Sequence, residues 1–145
     1  LYDPSEEGQD LHAFLTRLTE DVVEASGRRD INVTVSAPQN LKLDSHVAVP
    51  LALIVAEAVS NAIEHGLPHR GGLIEVTLED ASGTLTLKIA DDGRGIAPDF
   101  EIDKGSSIGL RIASALAGQL SGKFALHPRP EGGAVVRLDL PVHAR

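Results

Sequence analysis

The spacing of apolar residues predicts helices and strands in a mixed order along the chain. Leucines and valines recur every three or four residues in LHAFLTRLTEDVVEASG, which predicts an amphipathic helix that ends at Gly27. Alternation of apolar and polar residues in INVTVS predicts a strand over residues 31–36. LALIVAEAVSNAIEHG contains no helix breaker before Gly66, so we expect a long and mostly buried helix that begins at Pro50.

The second half of the chain predicts two hairpins around a third helix. LIEVTLE and TLTLKIA flank the turn-forming DASG, which predicts an antiparallel hairpin over residues 73–90. After a loop over residues 91–106, SIGLRIASALAGQLSG predicts a helix that ends at Gly122, and a second hairpin joins KFALH to AVVRLDL across PRPEGG. This order favours an α/β fold, a two-layer α/β sandwich whose helices pack on one face of a mixed, mostly antiparallel sheet.

The composition narrows the classes of function. With 145 residues, 42% of them hydrophobic, the chain can form one domain with its own core. A formal net charge of −8 argues against binding nucleic acid, and the absence of cysteine excludes disulfides and thiol nucleophiles. Neither a membrane-length apolar run nor a signal peptide pattern is present, so we expect no membrane contact and a cytoplasmic location. Because the chain starts without methionine, we expect a fragment of a longer protein.

A narrow polar stripe interrupts the apolar helix that follows Pro50. Glu57, Asn61 and His65 recur at spacings of four and therefore lie along one side of the helix. The simpler interpretation is the solvent face of an amphipathic helix, whereas a narrow stripe on a buried helix is typical of a cleft. Asn61 offers a carbonyl oxygen suited to Mg²⁺, and Glu57 could orient a metal-bound water or act as a base.

Two glycine-containing segments follow the first hairpin. In DDGRGI, Gly93 and Gly95 permit positive φ angles and close approach of a ligand, although a turn at a strand end would use them in the same way. KGSSIGL opens directly into a helix, whose free N-terminal amides could hold phosphate oxygens. The alternative there is a flexible loop with a serine N-cap. The five histidines outside the stripe lack metal-ligand spacing.

Together, EAVSNAIEHG, DDGRGI, GSSIGL and EGGAVVRLDLP are similar in order and approximate spacing to the Asn box and glycine boxes of the GHKL ATPase superfamily. The resemblance extends over nearly the whole chain from about residue 11. It is greatest to the ATP-binding domains of bacterial two-component histidine kinases. The segment over residues 11–35 and the short loop between the glycine boxes resemble the branch called HisKA_2, near the HWE kinases.

The resemblance implies a Bergerat-type site for ATP and Mg²⁺. Asp91 matches the aspartate that accepts a hydrogen bond from the adenine amino group. Asn61 matches the Mg²⁺ ligand, Glu57 the acidic residue of the same box, and both are implied to be catalytic. His65 stands where His or Tyr is usual at the end of that box. The implied nucleotide-binding residues are Asn61, His65, Asp91, Gly93, Gly95, Ile96, Gly105, Ser106, Ser107, Gly109 and Leu110, with a mobile lid over roughly residues 97–106.

The chain departs from the family pattern at several positions. Glu64 stands where Lys or Arg is frequent, and Ala134 replaces the usual Thr or Ser of the final box. Asp92 stands where Asn is common, and the resemblance gives it no role. No segment resembles the dimerisation helix that carries the phosphoacceptor histidine, so we expect no autophosphorylation by this chain alone.

The leading hypothesis is the catalytic, ATP-binding domain of a sensor histidine kinase over residues 11–145, with residues 1–10 as the remnant of a linker. It would donate the γ-phosphate to a histidine on a separate dimerisation domain, from which the phosphate passes to a response regulator. An anti-sigma-factor serine kinase of the same superfamily is one alternative. The other is a degenerate docking module without catalysis.

Overall fold

A computed structural model describes residues 10–38, 41, 43–67, 70–95 and 108–141 of the chain. Its elements, in order, are α1 (Leu11–Ala25), β1 (Ile31–Ser36), α2 (Ser45–Asn61), a π-helical turn (Ala62–Gly66), β2 (Gly72–Ala81), β3 (Thr84–Asp91), α3 (Ile108–Gln119), β4 (Lys123–Pro128) and β5 (Ala134–Pro141). The three predicted helices and five predicted strands are therefore present, and α1 ends before Gly27, which has the expected positive φ of 77°.

The strands form one mixed sheet in the order β1-β2-β3-β5-β4. β1 pairs with β2 in parallel, and the remaining neighbours pair antiparallel. The β2–β3 hairpin turns through Ser82 and Gly83, whose φ angles of 54° and 81° match the two-residue turn that follows the natural twist of paired strands. The predicted two-layer α/β fold is confirmed.

The core lies between one face of the sheet and the three helices. Alternate residues of β2, β3 and β5 are buried, and α2 packs between α1 and α3. Within the described residues, Ser45–Gly66 is long and apolar enough to cross a membrane. Its packing in the core accounts for that apolar composition, because Leu51, Ile54 and Val55 are fully buried.

Helix α2 begins one turn earlier than the sequence predicts. The amides of Val47 and Ala48 donate to the Asp44 carbonyl at 2.9 and 2.8 Å and so close a first turn before Pro50. Burial of Ala48 holds this turn against the core. Pro50 therefore lies inside the helix, where its missing N–H removes one backbone hydrogen bond, and the prediction that it starts the helix is wrong.

The predicted stop of the third helix is also displaced. Helix α3 ends at Gln119, and Ser121, not Gly122, has the left-handed backbone conformation, with φ of 59°. The Gly122 amide donates to the Ala117 carbonyl at 2.9 Å, which closes the helix end. A Cβ on Gly122 would lie 2.5 Å from Cδ2 of Leu140 on β5, so the leucine side chain would have to move.

Candidate functional site

A pocket opens where the C-terminal end of α2 meets the ends of β3 and β5. The empty space is about 380 Å³, including the open mouth of the pocket. It is lined by Ala58, Asn61, Ala62, His65, Gly66, Ile89, Asp91, Gly95, Leu126, Ala134 and Val136. The structure therefore brings together four residues that the sequence singled out, Asn61, His65, Asp91 and Gly95, from two separate segments of the chain.

Asp91 is the polar centre of this pocket. It takes the inward-facing position that follows Leu87 and Ile89 along β3, and only 6% of it is exposed. Burial raises the pKa of its carboxyl group, and the neighbouring charge of Asp92 raises that pKa further, while hydrogen bonds from the Gly93 and Ala134 amides oppose the rise. A carboxylate on an otherwise apolar wall is suited to accept an N–H from a flat, largely apolar ligand.

The carboxylate of Asp91 is held by the chain that follows it. Its Oδ1 accepts a hydrogen bond from the Gly93 amide at 2.9 Å. No buried side-chain nitrogen or oxygen lacks a hydrogen-bond partner within the part of the chain that the structure describes. The orientation of the Asp91 side chain therefore depends on the position of the Gly93 peptide group together with the Ala134 amide.

The π-helical turn at the end of α2 contacts the segment after β3. The Leu67 amide donates to the Ala62 carbonyl at 2.9 Å, five residues earlier, which widens this turn. The Gly66 carbonyl then accepts from the Arg94 amide at 3.0 Å. A Cβ on Gly93 would overlap that carbonyl, and a Cβ on Gly66 would lie 2.9 Å from the Asp91 carboxyl group. The sequence identified Gly66 only as a helix stop.

Glycine is required at several positions of the site, and the structural reason differs from one position to the next. Gly95 has a positive φ of 81° and lines the pocket, as its motif predicts. Gly93 has no positive φ, and it is required because α2 ends against it. Gly133, which the sequence did not single out, has φ of 99° and leaves no room for a Cβ beside the Asp91 carbonyl. The two adjacent glycines just before β5 were the sequence feature that could have identified Gly133 as part of the site.

Glu57 does not line the pocket of Asp91. It lies instead on a separate groove between α1 and α2, with an empty volume of about 670 Å³. This groove is lined by Val22, Ala25, Ser26, Ala56, Glu57, Ser60, Ile63 and Glu64. The polar stripe is therefore divided between two surfaces, because Asn61 and His65 face the pocket and Glu57 lines the groove.

The remaining predicted residues lie in or before α3. Ile96, Gly105, Ser106 and Ser107, with the expected lid, are outside the described residues. Gly109 and Leu110 are in the first turn of α3, where Leu110 is buried in the core. Neither lines the pocket of Asp91, so their contact with a nucleotide stays a prediction.

The donor set of the pocket fits a weakly held hard cation. Over the described ranges, no cluster of three or more His, Asp or Glu side chains could form a metal site. Asn61 lines the pocket, and an asparagine side chain contains an amide oxygen of the kind that Mg²⁺ binds. Mg²⁺ commonly has few protein ligands and completes its octahedron with waters and substrate phosphates, so the residues present fit this ion when a nucleotide supplies oxygens.

Comparison with known proteins gives concordant matches. Residues 46–144 match the family model described as histidine kinase-, DNA gyrase B- and HSP90-like ATPase. The chain is 33% identical over 106 residues to the sensor histidine kinase PdtaS of Mycolicibacterium smegmatis. This match covers 71% of this chain and 21% of that protein. The chain is also 29% identical over 134 residues to blue-light-activated histidine kinase 2 of Erythrobacter litoralis. That match covers 91% of this chain and 38% of that protein.

The fold matches a solved structure over almost its full length. The histidine kinase domain of a blue-light-activated histidine kinase from Erythrobacter litoralis superposes with a TM-score of 0.80 at 27% identity. The match covers 98% of this chain and 65% of that chain. The chain spans well under half the length of either curated relative, so it is similar to one part of those proteins.

Proposed function

The chain belongs to the family of histidine kinase-, DNA gyrase B- and HSP90-like ATPases, and from this we propose that it is the ATP-binding catalytic domain of a sensor histidine kinase. The observation that carries this proposal is the buried Asp91 carboxylate in a pocket shared with Asn61 of α2. The placement within the HisKA_2 branch stays a prediction.

The pocket would bind the adenine end of ATP. Ile89, Leu126 and Val136 supply apolar surface for the two faces of the base. The Asp91 carboxylate would accept a hydrogen bond from the exocyclic amino group, which distinguishes adenine from guanine because guanine has a carbonyl oxygen at that position. Ala134, which lacks the hydroxyl usual in the family, lies on the same wall and would contribute only van der Waals contact.

Asn61 would hold Mg²⁺ through its side-chain oxygen, and the ion would neutralise charge on the phosphates during transfer. Asn61 lines the same pocket as Asp91, so one bound nucleotide could contact both residues. Glu57 would orient the acceptor histidine from the adjoining groove, since it lies one helical turn before Asn61. Ile96, Gly105, Ser106, Ser107, Gly109 and Leu110 would complete the nucleotide site.

We propose that the acceptor is a histidine on a separate helical dimerisation domain and that a response regulator receives the phosphate. The greater length of the histidine kinase relatives supports the presence of such additional domains. ATP is an intracellular substrate, which supports a cytoplasmic position for this domain. The relatives named above are histidine kinases, so neither the anti-sigma-factor kinase nor the docking module is favoured.

Calorimetric titration with ADP and ATP, with and without Mg²⁺, tests the nucleotide site. We expect saturable binding by the wild-type chain and a loss of at least about tenfold in affinity for Asp91→Asn, because one hydrogen bond to the base is replaced by a clash of two donors. Asp80→Asn is the matched control, since Asp80 is exposed on β2 near the hairpin turn. Normal binding by Asp91→Asn would show that the adenine lies elsewhere.

A further inference from the structure

Asp92, the second carboxylate of DDGRGI, extends the pairing of β2 and β3. The regular register ends at Ile74 opposite Asp91. One residue further, the Asp92 amide donates to the Leu73 carbonyl at 3.3 Å, and the Asp92 Oδ1 accepts from the Leu73 amide at 2.9 Å. The Asp92 side chain thus takes the place of a backbone carbonyl and fixes the chain where it leaves β3.

Arg70 holds the same residue from the other side. Its Nη2 donates to the Asp92 carbonyl at 3.2 Å, and its Nη1 donates to the Gly71 carbonyl at 3.3 Å. The Arg70 carbonyl in turn accepts from Nη2 of Arg28 at 3.1 Å. Arg28 is itself paired with Asp30 at 3.0 Å in the turn between α1 and β1. Arg70 is therefore supported by the neighbouring turn although its side chain is exposed.

Two adjacent glycines, Gly71 and Gly72, make room for the contacts of Asp92 and Asp30. A Cβ on Gly72 would overlap the Asp92 carboxylate, and a Cβ on Gly71 would overlap the Asp30 carbonyl. The Gly72 amide donates to that Asp30 carbonyl at 3.1 Å. Gly72, the first residue of β2, thus packs closely against the carboxylate of Asp92, and Gly71 packs against the turn that contains Asp30.

One peptide group connects these contacts to the pocket. The Asp92 carbonyl and the Gly93 N–H belong to the same planar unit, so they point in opposite directions and rotate together. Arg70 holds the carbonyl end, and the Asp91 carboxylate accepts from the N–H end at 2.9 Å. Rotation of this peptide would remove the Gly93 donor from the Asp91 carboxylate and leave it with the hydrogen bond from the Ala134 amide.

We propose that Arg70 and Asp92 are positioning residues of the nucleotide site, which fix the peptide group that orients the Asp91 carboxylate. This inference rests on the proposed function, because it assigns the two residues an effect on nucleotide affinity. Neither residue lines the pocket, so the proposed effect reaches the ligand through Asp91. The positioning role requires a hydrogen-bond acceptor in the side chain at position 92, because the Leu73 amide donates to it. An Asn side chain could accept the same hydrogen bond through its oxygen.

Affinity for ADP, measured by calorimetry on the whole chain, tests the proposal with conservative variants. Arg70→Ala and Asp92→Ala should each weaken binding roughly two- to tenfold, the range expected for loss of one hydrogen bond. Asp92→Asn should restore wild-type affinity, since it retains the acceptor for the Leu73 amide. Arg29→Ala is the control, because this exposed arginine has the same charge and lies beside Arg28.

NMR of the Gly93 amide separates positioning from a general loss of stability. In the wild-type chain this amide proton should shift as Asp91 titrates, because the two groups are hydrogen-bonded. The shift should shrink in Arg70→Ala and Asp92→Ala and persist in Asp92→Asn. If Asp92→Ala fails to fold, Arg70→Ala and Arg70→Lys still decide the question, with Lys expected to retain part of the affinity.

The outcomes for the two proposals are distinct. ADP binding by the wild-type chain with equal affinity in Arg70→Ala and Asp92→Ala would overturn the positioning role and leave the proposed function intact. Absence of binding by the wild-type chain at millimolar ADP would overturn both. Weaker binding in both alanine variants, with rescue by Asp92→Asn, supports the positioning role.

Discussion

At the scale of the residue, the candidate site depends on one buried carboxylate. Asp91 occupies an inward-facing position of β3, and the other inward-facing positions of that strand are buried apolar residues. Burial raises the pKa of the Asp91 carboxyl group. A group whose pKa is raised on folding stabilises the fold below its unfolded-state pKa, and this stabilisation is lost as the pH rises through the raised value. At pH values above the raised pKa, the ionised Asp91 therefore destabilises the fold.

Asp91→Asn should consequently raise the unfolding temperature at pH values above the raised pKa of the wild-type carboxyl group. The amide has nearly the same shape, it carries no charge to desolvate, and its oxygen can still accept from the Gly93 amide. The gain should shrink as the pH falls through the raised pKa, because the wild-type carboxyl group is then protonated. Thermal unfolding of both proteins between pH 4 and 8 measures this, and a gain that does not vary with pH would contradict the assigned cause.

At the scale of the element, the site requires α2 and the segment after β3 to touch. Gly93→Ala should destabilise the fold by about 2 kcal/mol or more, because the new methyl group would overlap the Gly66 carbonyl and force the backbone to move. Gly118→Ala is the matched control on α3, where nothing lies within 4 Å of an added Cβ. That substitution should stabilise by about 0.5–1 kcal/mol through helix propensity.

Urea unfolding measures both glycine variants. If Gly93→Ala and the wild-type chain have equal free energies of unfolding, the backbone around Gly66 can move to accommodate the methyl group without loss of stability. A destabilised Gly118→Ala would show that α3 is not helical at that position.

The sequence predicts those elements whose signal is local. Alternation predicted β1, and turn-forming residues between apolar runs predicted the two hairpins. Asn61 stood out because it is polar within an apolar helix, and Asp91 was identified from its match to a family motif. The position of Glu57 could not be read in this way. Residues four apart differ by about 40° around a helix axis, so a stripe drifts sideways and its ends can face different neighbours. The packing of α1 beside α2 then placed Glu57 on its own groove.

Other features were missed because they are set by tertiary contacts. The start of α2 before Pro50 depends on burial of Ala48, and the reason for Gly93 depends on a carbonyl from α2. The π-helical turn has no local pattern of its own. Gly133 is required by the neighbouring strand, which a single sequence does not show.

At the scale of the whole molecule, the pocket is built from both layers of the sandwich. Its lining comes from α2 in the helical layer and from β3, β4 and β5 in the sheet, so a bound nucleotide would contact both layers at once. Ligand that binds only the folded state stabilises it in proportion to the logarithm of its concentration over the dissociation constant. Binding in this pocket should therefore stabilise the domain as a unit.

ADP with Mg²⁺ at about 100 times its dissociation constant should add roughly 2.7 kcal/mol to the stability of the wild-type chain. For a domain of this size, that corresponds to a rise of roughly 5–10 °C in the unfolding temperature. At the same nucleotide concentration a tenfold weaker affinity would reduce the added stability to about 1.4 kcal/mol, so the rise in Asp91→Asn should be about half as large or smaller. Differential scanning calorimetry of both proteins, with and without nucleotide, makes the comparison. An equal rise in both would place the stabilising nucleotide outside the pocket of Asp91.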